Sequence, residues 1–257
     1  MICQNPNILF FIPARGGSRR VPRKNIRLLG NHPVLAYTIL AAKESRFNGR
    51  VVVSTEDEEI AKVASLYGAE VPYRRPIKLA EDVPTEDVVM HGLDWLSRHE
   101  QYEPDLVVTL EPTAPFRKTQ YIDDCIQMLI DKPRLDSVLS IHKLRGGRPE
   151  WMLRLKENGE LEPYSNYFSN QDAILKFPAS QEFEPLYQMN GIVFASRPET
   201  IYRYNSLVGI AVGSYEIDKD EAFDINWPSD MEAATVNPII AVLDAKLFEI
   251  INRENVQ

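Results

Sequence analysis

At 257 residues the chain can form one large domain or a domain with a sizeable insertion, and 44% hydrophobic with 26% charged residues is an ordinary globular composition. No run approaches the roughly 18 apolar residues that cross a membrane. Cys3 and Cys125 are too few for a disulfide framework or a zinc site, and no basic start with an apolar core and cleavage site opens the chain, so a cytoplasmic protein without membrane contact is expected. Net charge is −8, yet residues 1–43 hold seven Lys or Arg and no acid; a nucleic-acid binder needs a broader basic surface, so nucleic acid is not expected as a partner.

The predicted elements alternate. "NILFFIP" (7–13) is a continuous apolar run, as in a parallel strand buried on both faces. Past a basic loop, "NHPVLAYTILAAKESRF" reads as a helix with Pro33 in its first turn. "RVVVST" (50–55) is a second strand, and "STEDEEIAKVASLYG" a helix capped by Ser54 or Thr55, acidic in its first turn and ended by Gly68. A short strand is expected at 70–73, a helix at 84–99, a strand at 105–112, a helix at 119–132 and a strand at 136–142.

From 143 to 188 the alternation stops. "WMLRLKENGELEP" reads as a hairpin turning at Asn158-Gly159, and an aromatic, Pro-bearing stretch follows: a peripheral loop, or an arm that covers a site or pairs two subunits. Strand patterning returns at 191–196 and 207–217, and the helices "SDMEAATV" and "PIIAVLDAKLFEII" finish the chain. Strands alternating with helices imply an α/β fold, a Rossmann-like mostly parallel sheet with helices on both faces. Ligands bind beyond the carboxyl ends of such strands, which brings together the loop after residue 13, Ser54-Thr55 and Glu111-Pro112.

The loop "PARGGSRRVPRKN" (13–25) carries Arg15, Arg19, Arg20, Arg23 and Lys24 around a glycine pair. Glycines after a buried strand let the backbone turn closely around a ligand, exposed N–H groups can cradle phosphate, and the cations can neutralise a departing pyrophosphate. A nucleotide triphosphate is the ligand this favours; a solvated basic loop or a localisation-like run is the alternative. The Gly-Lys-Ser/Thr ending of a P-loop and the third glycine of a dinucleotide fingerprint are both absent.

Those residues resemble the signature of the cytidylyltransferases that activate sialic and related nonulosonic acids with CTP, through Ala14, Arg15, Ser18, Val21, Pro22, Lys24 and Asn25. Further segments match that family in order: "VVVSTEDEEIAKVASLYGAEV", "RRPIKLAEDVPTEDVV", "LEPTAPFR", "QMNGIVFAS" and "AFDINWPSDMEAA". The resemblance implies a single nucleotidyltransferase domain over 1–257, with 143–188 as a dimerisation or substrate-covering insertion of a homodimer. It implies that Pro13, Ala14, Arg15, Ser18, Asn25, Arg75 and Thr85 meet the nucleotide, and that Arg15, Arg19, Lys24 and Asp224 serve the reaction. Glu111, Thr113, Gln188 and Asn190 would face a small acidic sugar, and Asp224 with Asn226 would hold Mg²⁺.

Each residue also has a plainer reading: Thr113 and Asn190 as turn residues, Arg75 as a surface partner of Glu81, Asp224 as a helix-entry residue. The chain departs from the family pattern at Arg20, where glycine is usual, at Asn226, where a second metal aspartate is usual, and at Glu111, where glutamine is usual. The stretch "FPASQEFEPLYQMN" lacks the arginine expected upstream of Asn190, and Lys176 is the nearest cation. The implied reaction joins CTP and a sugar acid into a CMP-sugar and pyrophosphate, chiefly by positioning and charge neutralisation. The hydroxyl proton goes either through a metal-lowered pKa or to a water near Asp224. Alternative substrates are a ketodeoxyoctonate or an amino-octulosonate, guanylyl transfer remains open, and the rival of another class is a noncatalytic nucleotide-binding regulator. His32, His91, His99 and His142 read as structural, since none lies in a matched segment.

Overall fold

The computed structural model describes residues 6–164 and 184–254. Chain order is β1 (Ile8–Pro13), β2 (Leu28–Leu29), β3 (His32–Pro33), α1 (Val34–Lys43), β4 (Arg50–Ser54), α2 (Glu58–Leu66), α3 (Thr85–Glu100), β5 (Leu106–Thr109), α4 (Thr119–Asp131) and β6 (Ser137–Lys143). Then come β7 (Leu153–Leu155), β8 (Leu161–Pro163), β9 (Tyr187–Ser196), α5 (Pro198–Tyr204), β10 (Val212–Glu216), α6 (Pro228–Thr235) and α7 (Ile239–Glu254).

A six-stranded sheet runs in the order β10-β6-β9-β5-β1-β4. β1 pairs in parallel with β4 and β5, β10 pairs in parallel with β6, and β9 is antiparallel to both its neighbours, so five strands share one direction. The reason β1 reads as unbroken apolar sequence is visible in its packing. Ile8, Phe10 and Ile12 join the core under α1, α4 and α7, while Leu9 and Phe11 join the core under α3 and α5. Alternate side chains of a strand point to opposite faces, so a strand covered on both sides must be apolar throughout.

The other elements follow local chemistry with a few differences from expectation. α2 is capped by Asp57, whose side chain accepts from the Glu59 and Ile60 N–H groups, rather than by Ser54 or Thr55. Ser54 is still in the β4 ladder opposite Pro13, so the helix cannot begin until the strand has ended. Gly68 follows the helix with φ +76°, as a left-handed helix stop requires. The short strand expected at 70–73 reduces to a single bridge between Val52 and Glu70. β7 and β8 form the hairpin, with Gly159 at φ +85° in its turn. The expected insertion at 143–188 is seen only in part, because 165–183, including Lys176, lie outside the described residues. Among the described residues no helix is long and apolar enough to cross a membrane.

The parallel arrangement brings the ends of β1, β4, β5, β6 and β10 to one edge of the sheet, where β9 begins opposite Lys143. Among the long connections that leave that edge are residues 14–27, 110–118 and 217–227.

Candidate active site

Those connections are stitched together by their backbones. Ala14 N–H donates to Ser54 O at 3.0 Å, and Ile225 N–H donates to Thr113 O at 2.8 Å. Lys24 Nζ donates to Ile225 O at 2.6 Å, so Ile225 is held through both its N–H and its carbonyl. The first connection is shaped by its own turn: Asn25 Nδ2 donates to Arg15 O at 2.9 Å, and Arg23 opens a short 3-10 turn over Lys24–Ile26 from a left-handed φ of 57°.

Gly16 is needed here by close approach. Its N–H donates to Glu56 Oε1 at 2.7 Å, and a Cβ on it would lie 2.6 Å from Asp57 Oδ2. Asp57 has no freedom to retreat, because it caps α2 and is paired with Arg23. No neighbour constrains Gly17 in this way.

The result is a cleft of about 510 Å³ lined by Pro13, Arg15, Ser18, Arg19, Lys24, Asn25, Glu111, Thr113, Asp224 and Asn226, all of them anticipated, together with Arg20, Val21, Asp82 and Pro112. The volume suits a small polar ligand. Arg15 Nη1 donates to Asp82 Oδ1 at 2.7 Å and to Glu81 O at 3.0 Å, and Arg19 Nη1 lies 2.8 Å from Asp82 Oδ2. One anion thus already bridges the two guanidinium groups, and Arg15 holds the Asp82 carboxyl below the usual carboxylate range. Asp82 belongs to the matched segment "RRPIKLAEDVPTEDVV", but nothing local indicates that it reaches back to the first loop.

Two buried acceptors on cleft-lining residues have no partner: Asn25 Oδ1 and Asp224 Oδ1. A buried orphan acceptor is costly and marks a place where a ligand donor or cation fits. Asp224 Oδ2 accepts from Asn226 Nδ2 at 2.6 Å, leaving the amide oxygen of Asn226 as the donor to any cation. Among the described residues no three His, Cys, Asp or Glu side chains gather as a metal cage. An ion bound through one carboxylate, an amide oxygen, waters and substrate phosphates is the kind of site that Mg²⁺ accepts, so the residues present fit it.

Electrostatics differ along the walls. Burial lowers the Lys24 ammonium below its ordinary value, and the nearby Asp224 charge only partly restores it. Burial raises the Glu111 carboxyl above the usual range, Asp224 adding to the effect while Arg117, the Thr85 hydroxyl and Lys24 oppose it. Beneath Glu111, buried Arg117 donates to Ile192 O at 2.6 Å, Thr38 Oγ1 at 3.0 Å and Glu111 O at 2.6 Å, and burial brings its own value down to about 10. Arg117 is therefore a brace for the Glu111 backbone.

Five anticipated residues do not line the cleft. Ala14 is fully buried beneath it. Thr85 begins α3 and its hydroxyl lies 3.4 Å from Glu111 Oε1. Arg75 is buried and pairs with Glu56 at 2.9 Å rather than with Glu81, so it steadies the carboxylate that holds Gly16. Gln188 and Asn190 sit on β9 at the same sheet edge, where Asn190 Oδ1 accepts from Ser140 Oγ at 2.5 Å and its Nδ2 is buried without a partner. Arg23 turns away to Asp57 and Glu59, and none of the four histidines lines the cleft.

Comparison with known proteins adds a lineage to this geometry. A family model described as Cytidylyltransferase matches residues 9–233. The CMP-N,N'-diacetyllegionaminic acid synthase of Legionella pneumophila subsp. pneumophila is 34% identical, over 87% of this chain and 92% of its own. The N-acylneuraminate cytidylyltransferase of Escherichia coli O18:K1:H7 is 29% identical over 88% of this chain and 51% of its own. In structure, CMP:2-keto-3-deoxy-manno-octonic acid synthetase complexed with CTP superposes with a TM-score of 0.66 at 15% identity, covering 93% of this chain and 99% of that one, a likeness of fold.

Proposed function

The chain belongs to the cytidylyltransferase family, and from that premise we propose that it joins CTP to a nonulosonic sugar acid, releasing pyrophosphate. The observation that carries the reading is the cleft at the carboxyl edge, where the cations of one loop face the unpartnered Asp224 Oδ1 of another. Relatives named for legionaminic and neuraminic acids support the substrate class.

In this reading Arg15 and Arg19 exchange the Asp82 carboxylate for the phosphates, and Asn25 Oδ1 accepts from a donor on the nucleotide. Pro13, Ala14 and Ser18 shape the loop around the nucleotide, with Arg75 and Thr85 supporting from behind. Glu111 and Thr113 face the sugar, and Gln188 and Asn190 close its far side. The anomeric hydroxyl oxygen bonds to the α-phosphorus, the bond to the β-phosphate oxygen breaks, pyrophosphate leaves with the electron pair, and the hydroxyl proton passes to water. Lys24 stabilises the charge that builds on the α-phosphate, where a half-buried ammonium acts more strongly than an exposed one. Asp224 and the Asn226 amide oxygen would hold Mg²⁺, which when bound supplies charge neutralisation to the phosphates.

The protein acts as a homodimer with the hairpin as a subunit contact; the rest of the expected arm, 165–183, lies outside the described residues. Exposed Leu155 and Leu161 on the hairpin, Met152 and Tyr164 beside it, and Tyr187 and Met189 on β9 support this, since an apolar surface of that kind suits a subunit contact. The test is pyrophosphate release from CTP with a panel of N-acetylneuraminic, N,N'-diacetyllegionaminic and pseudaminic acids and ketodeoxyoctonate. Release with one or more nonulosonic acids is expected. CTP binding without release for any acid would leave a noncatalytic nucleotide-binding protein.

A further inference from the structure

The basic side chains of the first loop are not equivalent. Arg15 and Arg19 share Asp82, Arg23 is tied to Asp57 and Glu59, and Lys24 bonds to the Ile225 carbonyl. Arg20, which also lines the cleft, has no acidic partner among the described residues. Its guanidinium instead lies over the Trp227 ring, 4.9 Å from the centroid.

The backbone that carries that ring is fixed. Asp230 Oδ2 accepts from both the Asn226 and Trp227 N–H groups at 2.7 Å, fixing the chain just beyond Asp224. A cation stacked on an aromatic face keeps its charge and spends none of its N–H donors, so the planar fork remains available to an anion. Arg20 is therefore a pre-oriented, uncommitted cation of the first loop, stacked against the connection that carries Asp224 and Asn226.

Substrate chemistry says where such a cation is needed. This step rests on the sugar-acid reading above. In a 2-keto sugar acid the carboxylate carbon is bonded to the anomeric carbon whose hydroxyl attacks phosphorus. The carboxylate consequently enters beside the α-phosphate and Asp224, both negative, and needs a counter-charge close to the reacting oxygen. Of the other cations along this edge, Arg117 is engaged in its brace, Lys118 with Glu221, and Arg145 with Asp218 and Asp220, while Lys143 and Lys219 do not line the cleft. On the β9 side, "FPASQEFEPLYQMN" offers neither Lys nor Arg.

We propose that Arg20 binds the carboxylate of the sugar acid, with Trp227 as the platform that orients it. Arg20 is thus a specificity determinant for acidic sugars, placed on the nucleotide loop. The test compares wild type, Arg20→Ala and Arg20→Lys with CTP and whichever acid of the panel turns over fastest, alongside the same sugar as its primary carboxamide. Loss of a charge-assisted hydrogen bond predicts that KM for the acid rises about tenfold to a hundredfold in Arg20→Ala, with partial recovery in Arg20→Lys. KM for CTP and for the carboxamide should be unchanged. An unchanged KM for the acid overturns the assignment, and so does a matching rise for CTP or the carboxamide, which would place Arg20 on the triphosphate or in loop structure. Absence of turnover with every acid in wild type would instead remove the sugar-acid reading on which the inference stands.

Discussion

In the proposed reading Glu111 faces the sugar acid, where a fixed negative charge would repel the substrate, and its surroundings work against that charge. Burial, reinforced by Asp224, raises its carboxyl above the ordinary range. A protonated carboxyl offers an O–H donor beside an acceptor oxygen, where an amide offers N–H donors beside one, so Glu111 in its neutral form can serve as glutamine would. Because the folded chain holds this proton more tightly than the unfolded chain, stability falls as pH rises from the ordinary carboxylate range through the raised value, and stays lower above it. Glu111→Gln is therefore expected to melt a few degrees higher than wild type at pH 8, the gap closing below pH 4; scanning calorimetry across that range checks it. KM for the sugar acid should climb with pH in wild type and stay flat in the variant. For Lys24 the expectation separates two kinetic constants: Lys24→Ala lowers kcat by roughly a hundredfold or more while KM for CTP changes little, as for a group acting in the transition state. Equal losses in both would assign Lys24 to ground-state binding.

At the scale of elements, α3 shows how packing overrides propensity. Gly92 lies within this helix, where alanine would ordinarily gain about 1 kcal/mol. A Cβ there would lie 2.3 Å from Phe11 Cε2 and 2.6 Å from Tyr73 Oη, and Phe11 is fully buried in β1. Overpacking of this kind costs about 1–3 kcal/mol, so Gly92→Ala should be net destabilising; urea unfolding that shows a gain would contradict the close approach of α3 to β1. The position of α3 was legible from its apolar spacing, and its neighbour α2 was legible in extent. The cap of α2 was not, because Ser54, Thr55 and Asp57 are all competent caps. The pairing of Ser54 with Pro13 in the sheet disqualifies the first, Thr55 Oγ1 accepts from the Asp57 N–H ahead of the helix, and Asp57 is left as the cap.

For the whole molecule, the proposed homodimer predicts that sedimentation at micromolar concentration gives twice the monomer mass, and that Leu155→Glu with Leu161→Glu on the exposed hairpin shifts the protein toward monomer. A wild-type monomer under those conditions would count against the hairpin as a subunit contact.

The sequence by itself determined the class of fold and the edge at which the site forms. Those follow from short-range rules: a strand covered on both faces must be apolar throughout, helices alternate with it, and ligands gather where parallel strands end. It also marked the loop 13–25 as a concentration of charge. Which of those charges face the cleft was decided only by tertiary structure. Arg23 is withdrawn by acids at the start of α2, Arg15 and Arg19 are gathered by Asp82, Lys24 reaches Ile225, and Arg20 is left to Trp227. These partners are distant in the chain and lie on separate loops, so no local pattern records them. A long basic side chain goes where an acid, a carbonyl or a ring lies in space, and only the closed sheet brings those groups within reach.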